Sequence, residues 1–337
     1  MERNCGVIMI KRITLGLTTI CNLSNETACA LCYRATCEKT IPRINIDIDV
    51  IKNALNKEVL KNLEELIICG SFGEPTLYPK LFEFLDHLAE NAEDKLEVVV
   101  DTNGSTHNED WWIKFGERIK SLNHEVRFGI DGLDGVHQIY RVGSDFEKVT
   151  QNMKAFASTG AYATWKFIAF KHNEHQFEEV KKMAENFGCK KMMVIISCFY
   201  NDEFKHSDIF IDERIENPIT VDNLKCKSKE ENWVSIEADG EIMPCTHYKV
   251  LKNIMWGKDI LFDDPILMIK LNRCKDQLNI HTATIEEAEK SELFQYIHHK
   301  FKKLKWCYRY CVERGITKTL ISKEIYFDDK IENKKKN

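Results

Sequence analysis

From about residue 12 to about residue 197 the chain alternates short β-rich runs with longer amphipathic stretches, and this rhythm restricts its fold more than any other feature. The β-rich runs are 12–17, 65–69, 96–100, 125–130, 164–170 and 191–196. They read as apolar segments, as expected of strands covered on both faces. The intervening stretches 48–63, 79–91, 109–122, 146–159 and 176–187 carry helical patterns, with Val180, Met183, Ala184 and Phe187 at three- and four-residue spacing. Gly160 and Gly188 stand where helix C-caps are expected. Strands alternating with helices imply a parallel sheet with right-handed crossovers. Six units fall short of a closed eight-unit barrel, so the expected fold is α/β, a partial (β/α)6 TIM-like barrel. Its active site belongs at the carboxyl ends of the strands.

After about residue 200 the rhythm stops. The expected division is a barrel over 1–200, a polar linker over 201–224, a small α+β cysteine-bearing domain over 225–315 and a charged tail over 316–337. A chain of 337 residues is long enough to bury a sizeable core. A net charge of -5 gives no basic field for general nucleic-acid binding. No early apolar segment and no run of about eighteen apolar residues stands out, so neither secretion nor membrane spanning is expected, and the cytoplasm is the expected location. In a reducing compartment, 13 cysteines point to metal or cluster ligation rather than disulfides. Cys69 and Cys198 sit inside apolar runs and read as ordinary buried strand cysteines.

Two motifs follow the first two strands. Cys21, Cys29 and Cys32 have seven and two residues between them, and Gly70-Ser-Phe-Gly-Glu-Pro75 comes about forty residues later. Three thiolates on one loop suit an iron–sulfur cluster with one iron left open to a small molecule. A structural zinc site usually takes four ligands, and Cys5 or Cys37 is available as a fourth. Spacing alone leaves cluster and zinc equally open.

These residues, with others in register behind them, resemble the radical S-adenosylmethionine (radical SAM) superfamily over roughly residues 10–200. Thr18-Thr-Ile-Cys21-Asn-Leu resembles the opening of its cluster loop, and Gly70–Pro75 is similar to its Gly-Gly-Glu-Pro segment. Asp101-Thr-Asn-Gly104, Gly129-Ile-Asp131-Gly, and Tyr140-Arg141-Val-Gly143 with Phe146-Glu-Lys-Val149 also resemble the family. The first cysteine gap departs from the usual three residues by four, around residues 25–28. The resemblance implies a [4Fe–4S] cluster on Cys21, Cys29 and Cys32, with S-adenosyl-L-methionine chelating the open iron. It implies cofactor contacts from Gly70, Gly73 and Glu74, and adenine or ribose contacts from Leu31, Tyr33, Asn103 and Asp131. Glu74 is also suited to hold a helix N-terminus, and Asn103 and Asp131 to cap turns. Lys166, on the fifth strand with Thr164 and Ile168, is a cofactor or substrate ligand if it faces inward and merely solvated if outward.

A second cysteine set follows. Val234, Ile236 and Ala238 alternate, Asp239-Gly240 signals a hairpin, and Cys226 and Cys245 fall near its open end. Cys307 and Cys311 lie on a later turn. This region resembles the SPASM accessory domain or its shorter Twitch form, and implies an auxiliary [4Fe–4S] cluster on Cys226, Cys245, Cys307 and Cys311, with Cys274 as an alternative to one of the late pair. A zinc ribbon is the competing reading.

The resemblance implies an oxidoreductase that cleaves S-adenosyl-L-methionine reductively, abstracts hydrogen from substrate and draws electrons from a flavodoxin or ferredoxin. The early start of the barrel leads us to expect a small molecule, such as a sugar or aminocyclitol, to be dehydrogenated. A peptide substrate is the runner-up, and a zinc-stabilised binding module without catalysis is the alternative of another class. Neither nucleic acid nor membrane is an expected partner.

Overall fold

The computed structural model describes residues 10–23, 28–32, 34, 41–69, 72–197, 200–210, 220–245, 265–304, 307, 311 and 321–327. Six parallel strands form the frame: β1 (Arg12–Leu15), β2 (Glu65–Ile68), β3 (Glu97–Thr102), β4 (Asn123–Gly129), β5 (Ala163–Ala169) and β6 (Lys191–Ile196). The connections carry α1 (Ile48–Ala54), α2 (Lys57–Asn62), α3 (Leu81–Asn91), α4 (Glu109–Ile119), α5 (His137–Tyr140), α6 (Phe146–Ser158) and α7 (Phe177–Asn186). The helical stretch expected over 48–63 is two helices. Asn56 interrupts it, because its side chain accepts from Glu58 N and Val59 N and caps α2 instead of continuing α1.

The sheet is open. Beyond α8 (Lys227–Glu230), β7 (Trp233–Ile236) pairs parallel with β1, and β8 (Ile242–Met243) pairs antiparallel with β7. The remaining elements are α9 (Pro265–Arg273), α10 (Ile285–Lys290), α11 (Glu292–Lys300) and β9 (Ile321–Tyr326), which pairs antiparallel with β6. The strand order is β8-β7-β1-β2-β3-β4-β5-β6-β9. The expected hairpin therefore forms, with Gly240 at φ 78°, but it extends the barrel sheet. A strand also lies in the stretch read as a charged tail. In both cases an edge of the six-strand frame finds hydrogen-bonding partners that an edge strand otherwise lacks.

One face of the sheet packs on helices, with Phe128, Trp165 and Phe167 fully buried. Trp112 of α4 meets Phe128 with ring centroids 5.0 Å apart. The other face differs from the expectation of apolar cover on both sides. Glu125, Arg127, Thr164, Lys166 and Lys191 alternate with those apolar residues on β4, β5 and β6. Lys191 and Glu125 pair at 2.6 Å with side chains only 1% exposed. Among the described residues no helix is long and apolar enough to cross a membrane.

Candidate active site

The cysteine loop is fastened at its base. Thr19 N donates to Ile44 O at 3.0 Å and Ile46 N to Leu17 O at 3.0 Å, so the chain leaves β1 and returns beside itself. Cys21 follows immediately. Cys29 and Cys32 close a tight turn, with Cys32 N donating to Cys29 O at 2.9 Å, and Ala30 N docks that turn on Tyr140 O at 2.8 Å. The loop after β2 is tied to the same place by Glu74 N donating to Ile20 O at 2.8 Å. Gly73 is required there because a Cβ would overlap the carbonyl oxygen of Thr18. Close packing of this backbone on that of Thr18 is by itself enough to require a glycine here, and Gly73 also lines the pocket.

Cys21, Cys29 and Cys32 line one pocket together with Gly73, Glu74 and Asn103. The space it encloses, open solvent at the mouth included, is about 690 Å³. Cys69, Asp101, Arg127 and Lys166 line it as well. Cys69, read from sequence as an inert strand cysteine, is thus a pocket residue, because it sits at the carboxyl end of β2 on the open face.

The charges follow from burial. Burial, followed by the Glu74 carboxylate, pushes the Cys21 thiol up to about 12. Burial also raises Cys29, which the Arg141 guanidinium partly offsets by charge and by a hydrogen bond. Such thiols hold their protons until a metal takes the protons' place, so metal binding here releases protons. Glu74 is buried, and burial raises its carboxyl against four hydrogen bonds that lower it. Its Oε1 accepts from Thr76 N at 3.2 Å, Thr76 Oγ1 at 2.7 Å and Thr102 Oγ1 at 2.6 Å. Its Oε2 accepts from Asn103 N at 2.7 Å. The same carboxylate caps the short 3-10 turn Pro75–Leu77 and lines the pocket.

The other expected site residues divide. Asn103 lines the pocket and caps a turn, its Oδ1 accepting from Ser105 N at 2.9 Å, while Nδ2 reaches Asn22 Oδ1 at 3.0 Å and Cys21 Sγ at 3.9 Å. Lys166 faces inward and pairs with Asp101 at 3.0 Å. Leu31 sits half-buried in the Cys29–Cys32 turn and does not line the pocket. Asp131 does not line it either. It is fully buried, accepting from Arg141 Nε at 2.7 Å and Ile168 N at 2.7 Å. Its contribution passes through Arg141, which does line the pocket. Gly129 leaves room for that guanidinium, which a Cβ at this position would strike. Tyr33 and Gly70 lie outside the described residues, as do Cys5, Cys37, Cys198 and positions 25–27 of the extended cysteine gap.

Arg141 and Arg34 are pocket residues that motif reading did not single out. Arg34 Nε donates to Phe72 O at 2.6 Å and its other arm to Thr19 O, clasping the two loops. An arginine inside a run that matches a motif was the available signal for Arg141. Arg34 carried none.

Among the described residues no group of three His, Cys, Asp or Glu side chains is arranged to hold a metal ion. Three thiols in one pocket are the donor set that a four-iron cluster with one open iron would take. Cys21, Cys29 and Cys32 fit such a cluster and would hold it, with Asn103 Nδ2 beside the Cys21 sulfur and Arg141 beside that of Cys29.

In the later region Cys226, Cys245 and Cys311 are near neighbours. Burial, then the charges of Cys245 and Cys226, raise the Cys311 thiol. Cys307 is buried, and Cys274 packs in the hydrophobic cluster with Leu271 and Leu278.

The site is thus an open α/β barrel with three cysteines gathered over its strand ends. Residues 15–187 match the family described as the Radical SAM superfamily, and the chain belongs to that superfamily. Membership implies a [4Fe–4S] cluster and S-adenosylmethionine as cofactors. No curated protein matches the chain in sequence. Among solved structures, Streptococcus suis SuiB bound to S-adenosylmethionine is similar, with a TM-score of 0.55 and 15% identity. The match covers 77% of this chain and 65% of SuiB, so the chain spans under two thirds of that protein's length. Native anSMEcpe with bound AdoMet matches with a TM-score of 0.54 and 18% identity, over 90% of this chain and 89% of that one. At such identities the likeness is one of fold.

Proposed function

We propose that this chain cleaves S-adenosylmethionine reductively, abstracts a hydrogen atom from a bound substrate and completes a net oxidation with the help of a second cluster. The observation that carries the reading is the meeting of Cys21, Cys29 and Cys32 with Glu74 and Asn103 in one pocket at the carboxyl ends of β1, β2 and β3. Bound there, the cluster and S-adenosylmethionine supply a carbon-centred radical able to take hydrogen from a C–H bond. The chain's own residues bind and orient. Glu74, with both oxygens aimed by hydrogen bonds, is suited to accept from an ammonium, and Asn103 Nδ2 and Arg141 set the surroundings of the cluster sulfurs.

The proximity of Cys226, Cys245 and Cys311, with Cys307 buried in the same region, supports an auxiliary cluster in a SPASM- or Twitch-like arrangement over 225–315. A fully ligated cluster of this kind suits electron acceptance from a substrate radical, and hence dehydrogenation of a small molecule such as a sugar or aminocyclitol. A peptide substrate is the second reading. It is favoured by fold likeness to SuiB bound to precursor peptide SuiA, and to anSMEcpe with bound Kp18Cys peptide over 94% of this chain. A flavodoxin or ferredoxin fits the role of reductant.

The test is anaerobic reconstitution, dithionite and S-adenosylmethionine, with 5′-deoxyadenosine as the readout. Its formation, with about eight irons per chain, supports both clusters. Zinc alone at both sites overturns the reading.

A further inference from the structure

The concave face of the sheet carries a set of charged side chains that cluster ligation leaves unused. Asp101 of β3, Arg127 of β4 and Lys166 of β5 line the pocket from within strands, whereas the cysteines, Glu74 and Asn103 line it from loops. Asp101 and Arg127 are direct partners in the β3–β4 register, and Lys166 pairs with Gly129, two residues beyond Arg127 on β4. Gly129 presents no side chain, and the space its Cβ would take is held by the Arg141 guanidinium at the pocket wall.

Each charge already has its opposite. Lys166 Nζ meets Asp101 Oδ1 at 3.0 Å, with side chains 26% and 21% exposed. Arg127 meets Glu125 Oε2 at 2.8 Å, and Glu125 is held in turn by Lys191 at 2.6 Å. One polar atom is left over: the buried Nε of Arg127 has no hydrogen-bond partner among the described residues. A buried N–H left without an acceptor is uncommon and costly, and points to a group that completes it.

The kind of group follows from what the floor tolerates. An apolar substrate would strip water from the Asp101–Lys166 pair and return nothing. A carboxylate or ammonium would compete for a charge that is already matched. A neutral hydroxyl breaks no pair, since it can donate to Asp101 while its oxygen accepts from Lys166 Nζ or Arg127 Nε. Two adjacent hydroxyls use all three side chains.

We infer that Asp101, Lys166 and Arg127 form the substrate-anchoring floor of this pocket and take a neutral group bearing adjacent hydroxyls. The inference rests on the proposed radical chemistry and names its substrate class. It moves Lys166 from the cofactor to the substrate.

The experiment uses the anaerobically reconstituted, S-adenosylmethionine-loaded enzyme, crystallised and soaked with glycerol as the smallest compound bearing adjacent hydroxyls. Glycerol hydroxyls within hydrogen-bond distance of Asp101 and Lys166, lost in K166M crystals, support the floor. S-adenosylmethionine's own carboxylate or ribose on Lys166 overturns it, as do water alone at the floor and glycerol binding retained in K166M. Equilibrium dialysis of labelled S-adenosylmethionine gives a second readout that needs no substrate. K166M and D101N should bind the cofactor within about twofold of wild type, whereas a tenfold loss in either, at unchanged iron content and thermal stability, makes these residues cofactor ligands. If wild-type enzyme forms no 5′-deoxyadenosine, the functional reading fails. If it forms 5′-deoxyadenosine and the floor stays empty, only this inference does.

Discussion

Arg141 Nε donates to Asp131 Oδ2 at 2.7 Å, and the same guanidinium stands beside Cys29. The carboxylate is completely buried and the guanidinium side chain is 15% exposed. The carboxylate has no water to fall back on. The pair carries the end of β4 to the turn that holds two of the three cluster cysteines, since Tyr140 O also receives Ala30 N.

Arg141→Met leaves Asp131 as a buried unpaired charge, and should cost about 3–5 kcal/mol of folding stability. Iron retention at the first cluster should fall about tenfold or more, as for other residues that orient ligands from behind. Denaturant unfolding of the apoprotein and iron analysis after reconstitution check the two effects separately. Stability within about 1 kcal/mol of wild type would show that the pair is not the strut described here.

Glu74→Gln places an amide where four donors converge. One of its ends becomes a donor facing donors, so the loop after β2 loses its anchor. S-adenosylmethionine affinity should drop about tenfold or more while iron content is kept. Equilibrium dialysis reads the first and iron analysis the second.

Gly73→Ala tests the loop contact directly. The new methyl would overlap Thr18 O, a backbone atom that cannot rotate away. The expected cost is about 1–3 kcal/mol with poorer cluster assembly. A variant as stable as wild type and equally rich in iron would contradict the packing reason given for this glycine.

His137 makes the apoprotein acid-sensitive. Burial pulls its imidazole down to about 4, with Asp131 opposing. The ring accepts from Asp131 N at 3.1 Å and meets Ser144 Oγ at 3.0 Å, an arrangement suited to the neutral form. Between about pH 6.5 and about pH 4 the unfolded chain binds a proton there and the folded chain does not. Stability is therefore fully present above about pH 6.5 and lost as pH falls, by about 3 kcal/mol across the whole window. His137→Leu should be less stable near neutral pH yet lose less on acidification to about pH 5. Equal losses in both proteins would assign the acid sensitivity elsewhere.

Cys245→Ala examines the second cluster. Iron should fall from about eight to about four per chain. 5′-Deoxyadenosine should still form, while oxidised product should not. Product formation at the wild-type rate removes the electron-acceptor role.

Local patterning made the six-strand frame legible, because a strand buried on its helix-facing side and a helix with one apolar stripe each leave a period in the sequence. It also placed Cys21, Cys29, Cys32, Glu74 and Asn103 at strand ends, and the structure gathers them in one pocket. Trp233–Ile236 joining β1 and Ile321–Tyr326 joining β6 were not legible, since an edge pairing is a contact across 200 or 130 residues of chain, roughly, and has no period of its own. Nor was the polar inner face. Residues 125–130 read as an apolar run, yet Glu125 and Arg127 are inward members of an alternating strand, and their own pairing, with Lys191 of β6 and Asp101 of β3, makes their burial tolerable.

What the sequence alone determined is therefore the chemistry at hand: three thiols on one loop, a glycine-bounded glutamate and the rhythm that sets both at one end of a sheet. What only the tertiary structure decided is which charges meet. Asp131 is turned away from the pocket to hold Arg141, and Lys166 is turned into it to meet Asp101. The reason is physical: a charge in a low-dielectric interior goes where its opposite is, and that opposite comes from another strand.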